Sequence, residues 1–157
     1  MLTLQWFFGE KDSLEDAHYI REEVFVKEQN VPMADEHDGT DKGAIHLVAY
    51  DGITPVSTGR ILITRDDFII GRVATLKPYR GRGIATGIMD ALINACVTMG
   101  GDRQILHAQL TARTFYESLG FEAYGEEFMD AGIAHIAMEH YGTNKKCGRM
   151  LEHGVHP

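Results

Sequence analysis

Cysteine is scarce in this chain: Cys96 and Cys147 are the only two among 157 residues, too few for a disulfide framework. Both read as free thiols in a reducing cytoplasm, with Cys96 on an apolar helix face. No stretch reaches the roughly 18 consecutive apolar residues of a membrane span. Trp6, Phe7 and Phe8 lie near the start, but without the basic start, apolar core and cleavage site of a secretory signal. Positive charge is short as well. Fifteen Lys and Arg against 23 Asp and Glu leave a net charge of −8, which argues against the basic face that general nucleic-acid binding needs. The chain has no Gly-Lys-Ser/Thr ending of a P-loop, no Gly-x-Gly-x-x-Gly and, among its eight histidines, no His-Glu-x-x-His, so neither common nucleotide loop nor a metal centre is expected. There is no internal repeat and no linker.

What is present fits one compact domain. The composition, 44% apolar and 24% charged, is that of a globular chain, and the length is too short for two ordinary domains. The expected unit spans residues 1–140. Residues 141–157 lose their periodicity and read as a terminal extension.

The organising stretch runs from Gly71 to Met99, where a short strand leads through a basic, glycine-bearing loop into an amphipathic helix. Arg80, Gly81, Arg82, Gly83, Ile84 and Ala85 make the pattern Arg-x-x-Gly-x-Ala. The glycines permit a tight turn and close ligand approach, and the arginines add charge for phosphate. The following helix N-terminus offers unpaired N–H groups to an anion. Ile84, Ile88, Leu92, Ala95, Cys96 and Met99 recur at helical spacing, which predicts a half-buried helix ending at Gly100 and Gly101.

Around it, strands are expected over 2–8, 45–50, 56–64, 68–76, 104–108, 121–128 and 132–139. Helices are expected from a cap at Asp12 or Ser13 to about Gln29, and from Thr111 to Gly120. Residues 35–41, DEHDGTD, form an acidic loop, which on charge alone suits a cation.

The segment RVATLKPYRGRGIATGIMDAL resembles the acetyl-CoA-binding motif of the GNAT acyltransferase superfamily, and QLTARTFYESLGF, Gln109 to Phe121, resembles its later Phe-Tyr…Leu-Gly-Phe motif. REEVFVKEQNVP, the acidic loop, His46 and GIAHIAM are similar to the small ElaA-like branch. The resemblance covers about residues 1–140. It implies an α/β (α+β) single-domain GNAT fold, a mixed and mostly antiparallel sheet with helices on both faces. In that fold the strand before the motif and the strand after its helix splay apart to admit acyl-CoA.

It implies further that the backbone of Val73, Ala74 and Thr75 pairs with the pantetheine arm, that Arg80 to Ala85 cradle the pyrophosphate, and that Gln109 stands where relatives carry an Asn. Tyr116 matches the superfamily's general acid, a phenol that stays protonated at neutral pH. The base has no fixed motif position. Glu36 and His135 are the preferred candidates, with Asp38, His46 and Glu126 behind them. The expected reaction moves acetyl from acetyl-CoA directly to a primary amine on a small cationic molecule or a lysine side chain. The alternative is a CoA-binding module without turnover. Many relatives pair through sheet edges or C-terminal strands, so a homodimer is compatible with the resemblance.

Overall fold

The computed structural model describes residues 2–142. Seven strands form one sheet: β1 (Leu2–Phe8), β2 (Ala44–Asp51), β3 (Thr54–Ile63), β4 (Phe68–Thr75), β5 (Arg103–Gln109), β6 (Glu122–Asp130) and β7 (Ile133–Tyr141). Their order is β1-β2-β3-β4-β5-β7-β6. Every neighbouring pair is antiparallel except β4 and β5. The helices are α1 (Glu15–Arg21), α2 (Met33–Glu36), α3 (Ile84–Thr98) and α4 (Arg113–Ser118). α1 runs on without a break as a π-helical segment, Glu22–Glu28.

Strand alternation loads both faces of the sheet. On β2, Leu47 and Ala49 join the core beneath α3, while Val48 packs with Ala17, Ile20 and Val24 on the α1 face. α3 buries Ile84, Ile88, Met89, Leu92, Ile93 and Cys96, and each large side chain so removed from water stabilises the fold by about 1.5–3 kcal/mol. The buried stripe is turned from the expected one: Met89 and Ile93 are fully enclosed, whereas Met99 is 42% exposed. Gly100, at φ 94°, stops the helix. The Gly101 amide reaches back to the Cys96 carbonyl at 2.7 Å, as in a Schellman ending.

Several local expectations shift. Leu14, not Asp12 or Ser13, occupies the cap of α1, because Asp12 accepts the Phe8 amide at 2.7 Å instead. The acidic loop contains the short helix α2, and the segment after β5 begins as a 3₁₀ turn, Leu110–Ala112, before α4. The last hairpin turns at Ala131 and Gly132, at φ 51° and 78°. β7 reaches Tyr141. The rest of the expected extension, with Cys147, lies outside the described residues.

Two irregularities in β4 position the site. β4 and β5 pair only through Phe68↔Gln104 and Ile69↔Ile105, so from Ile70 onward the strands part. On its other side β4 places Arg72 and Val73 opposite the single residue Gly59, a β-bulge with Arg72 at φ 52°. A bulge bends its strand and redirects side chains, and here it lies along the opening.

Candidate active site

Gly81 and Gly83 sit at φ 77° and 78°, left-handed positions that a side chain would strain. A Cβ at either would meet nothing within 4 Å, so backbone conformation rather than crowding calls for glycine there. Gly83 is the N-cap of the 15-residue α3; no side chain caps the helix and its first turn carries no acid. Its leading amides are thus open to an anion at the positive end of the helix. The expected arginines are differently engaged. Arg80 forms a two-bonded ion pair with Glu28 at 2.7 and 2.6 Å and donates to the Thr75 carbonyl at 2.9 Å, while Arg82 lies 5.1 Å over the Tyr79 ring.

The parting of β4 from β5 opens a cavity of about 750 Å³. Val73, Ala74, Thr75, Arg80 and Ala85 line it from the β4 and cradle side; Gly81, Arg82, Gly83 and Ile84 stand beside it at the start of α3. Opposite are Gln109, Tyr116 and His135. The edge of β4 from Ile70 to Thr75 has no strand partner on the β5 side, so the backbone groups it turns that way, apart from the Thr75 carbonyl that accepts Arg80, are available to an extended ligand, as in strand addition. An unpaired strand edge beside an uncapped helix N-terminus fits a pantetheine arm ending in a pyrophosphate.

Tyr116 is half-buried, with its ring 5.1 Å from Phe115 and 6.0 Å from Phe121. Burial pushes its phenol up to about 12. It therefore keeps its proton across the physiological range. His135 donates from Nδ1 to the Ile133 carbonyl at 2.7 Å, because a carbonyl can only accept. That bond leaves the lone pair on Nε2. The ring stacks on Phe128, 5.8 Å away, and His107 packs edge-on to the same Phe128 at 5.2 Å. Gln109 is tied to Gln29, Nε2 to Oε1 at 2.7 Å.

Glu36 is brought to the same cavity in a different condition from the one expected of a base. It is 2% exposed; Arg21 Nε holds Oε1 at 2.7 Å and Arg72 Nε holds Oε2 at 2.8 Å. Both carboxylate oxygens are committed to guanidinium groups, which makes Glu36 a fixed counter-ion. Asp38 pairs with Arg72 at 3.3 Å and caps Thr40. Asp41 receives Arg21 and Arg60, each at 2.8 Å, and His18 at 2.9 Å. Burial alone would raise the Asp41 carboxyl, but Arg21, His18 and Arg60 together hold it well below the ordinary carboxylate range. His46 is buried against the Asp41 carbonyl at 3.0 Å, and Glu126 is exposed.

Glu36, Asp38 and Asp41 are thus held by Arg21, Arg60 and Arg72, which corrects the reading of the whole loop as a cation attractor; of its four acids only Asp35 has no side-chain ion pair among the described residues. Nothing in the spacing of α1, β3 and β4 announces this meeting; the one available signal was an arginine, Arg21, on the apolar face of α1. His18, His37 and Asp41 place ligand-type atoms within 4.8 Å of one another, but Asp41 is already occupied by the arginines.

The model of the acetyltransferase (GNAT) domain matches residues 11–141. The uncharacterized N-acetyltransferase YjcF of Bacillus subtilis is 43% identical over 129 residues, spanning 82% of this chain and 92% of that protein. Among solved structures, an acyl-CoA N-acyltransferase from Pseudomonas aeruginosa superposes with a TM-score of 0.81 at 28% identity, and Escherichia coli ElaA with 0.80 at 30% identity. Each comparison covers 88% of this chain and 99% of the other.

Proposed function

The chain belongs to the GNAT acetyltransferase family, and on that premise we propose that it moves an acetyl group from acetyl-CoA directly to a primary amine, on a small molecule or a lysine-bearing peptide. The observation that carries this reading is the open edge of β4 facing Tyr116 and His135 across one cavity. The Ile84, Ala85 and Thr86 amides and the Gly81–Gly83 turn hold the pyrophosphate. Val73, Ala74 and Thr75 hold the pantetheine by backbone pairing, with one N–H polarising the thioester carbonyl. Gln109 lies along the same path.

The acceptor arrives as an ammonium ion, with a pKa near 10 like that of lysine. His135 Nε2 takes its proton, directly or through one water, because Nδ1 is already committed as a donor. The freed nitrogen lone pair forms the C–N bond as the C–S bond breaks. Tyr116 gives its proton to the departing sulfur and is restored through water by the second proton that the acylated nitrogen sheds, while His135 returns the first to solvent. Glu36 keeps the wall of the site in place through Arg21 and Arg72.

The proposal sets the reaction in the cytoplasm, because it consumes a metabolic CoA thioester. It also includes a homodimer. β1 is a sheet edge, and Leu2, Leu4, Trp6 and Phe8 along one of its faces are 46%, 49%, 37% and 46% exposed, a row suited to pairing with a second copy.

The test is CoA release from acetyl-CoA over a panel of primary amines, run beside thermal unfolding with acetyl-CoA. Saturation at about 100 times Kd stabilises a fold by roughly 2.7 kcal/mol. Amine-dependent release that falls about 10²–10⁴-fold in His135→Gln supports the assignment. Stabilisation by acetyl-CoA without release to any amine would leave a CoA-binding module.

A further inference from the structure

Arg60 is unusual among the cations of the site. It is 7% exposed and lines the cavity, yet its guanidinium makes one hydrogen bond among the described residues, from Nη1 to Asp41 Oδ1 at 2.8 Å. Nε and Nη2 donate to no described residue. Its single counter-ion is shared, since Asp41 also serves Arg21 at 2.8 Å and His18 at 2.9 Å. Burial, then the nearby Arg72, disfavours the charge on Arg60, but a guanidinium does not release its proton in proteins. It therefore stands as a partly desolvated cation with open donors toward a cavity.

Arg72 adds to this. Its Nε and Nη2 are committed to Glu36, Asp38 and the Asp35 and Glu36 carbonyls, while Nη1 has no partner among the described residues. Arg60 pairs across from Gly71, immediately before the bulge at Arg72. From Gly71 to Thr75, whose carbonyl is held by Arg80 of the cradle, four residues of strand span about 13 Å at roughly 3.3 Å each. An anion at Arg60 is thus separate from the pyrophosphate. The exposed carboxylates Asp35, Asp38 and Asp130 also line the cavity. One buried and one half-buried guanidinium beside exposed carboxylates complement a ligand that carries both charges.

We propose that Arg60, supported by Arg72, is an acid-binding subsite at the acceptor end of the cavity, so that the amine acetylated here also bears a carboxylate, as a free amino acid does. The planar guanidinium fork matches a carboxylate, and Asp35 and Asp130, whose side chains make no ion pair among the described residues, draw the ammonium end. The inference rests on the acetyl-transfer reading given above, and it narrows the acceptor to compact zwitterionic amines.

The experiment compares matched pairs in the wild-type enzyme: free amino acids against their carboxamides, with phosphoethanolamine as a phosphate-bearing amine. Expected is a kcat/KM about 10- to 100-fold higher for the acid than for its amide, an advantage that collapses in Arg60→Gln and is only partly kept in Arg60→Lys. Preference for phosphoethanolamine over every amino acid would overturn the carboxylate assignment. Equal rates for acids and amides would overturn the subsite and leave acetyl transfer standing.

If no amine in any series is acetylated, the transfer reading fails. The subsite is then judged by thermal stabilisation in the presence of CoA. Stabilisation by N-acetyl-amino acids but not by their methylamides, lost in Arg60→Gln and reduced in Arg60→Lys, supports it; identical behaviour of the two overturns it.

Discussion

Replacing Glu36 by Gln separates a catalytic carboxylate from a structural one. In the folded chain Glu36 is 2% exposed and bridges Arg21 and Arg72 at 2.7 and 2.8 Å. Gln keeps the shape, but its carbonyl can accept from one arginine only. Its amide N–H₂ then confronts the other guanidinium, donor to donor. Removing one partner of a buried ion pair costs about 3–5 kcal/mol, because the remaining charge stays buried without compensation. For a chain of 157 residues, each kcal/mol moves Tm by about 2–4 °C, so Glu36→Gln should unfold about 6–20 °C below wild type. The assay pairs a thermal melt followed by circular dichroism with kcat measured well below the lowered Tm. A structural Glu36 predicts a large fall in Tm and a kcat within about tenfold of wild type. An unchanged Tm with kcat down about 10²–10⁴-fold, the usual contribution of a general base, would refute the counter-ion reading and restore Glu36 as the base.

Tyr116→Phe should lower kcat about 10²–10⁴-fold with the KM for acetyl-CoA nearly unchanged. The ring contacts with Phe115 and Phe121 survive the change, so the melting curve should hold, and a wild-type kcat would remove Tyr116 from the acid role. Stability should decline in two stages as pH falls. Burial holds His46 and His140 below the ordinary histidine value, so the unfolded chain takes up protons first, and stability is lost below about pH 6.5. The Asp41 carboxyl is depressed in the fold; its contribution is complete above about pH 4 and is lost as pH falls below that. Melts of wild type and Asp41→Asn from pH 8 to 3 check this, since the variant should lose the lower stage.

Much of the cradle was legible because it is local. The Arg80–Ala85 turn, the α3 period and the glycines at Gly100 and Gly101 are dictated by residues within a few positions of one another. They act through backbone conformation and helical spacing. Tyr116 and His135, which both line the cavity, are singled out in the sequence by different signals, the one by the resemblance of its segment to a family motif and the other by chemistry that suits a base. The ion pairs of the acidic loop are not legible in this way. Composition records that Asp35, Glu36, Asp38 and Asp41 carry charge, but not what stands against them. Arg21, Arg60 and Arg72 come from α1, β3 and β4, and Arg72 faces Glu36 across 36 positions of sequence. Helical and strand periods hold no information about that approach.

The amphipathic helix, the glycines of the turn at its start, the alternating strands that load both faces of the sheet, and the family those features belong to are written in the order of the residues. Each follows from near-neighbour sterics and the period of apolar residues. Where the sheet opens, which acids are spent in ion pairs and which guanidinium keeps donors to spare are settled by the assembled fold. Those outcomes depend on how far apart β4 and β5 stand, on the bulge at Arg72, and on which charges share a buried space. Electrostatic energy in such a space is set by distance and desolvation, not by order along the chain.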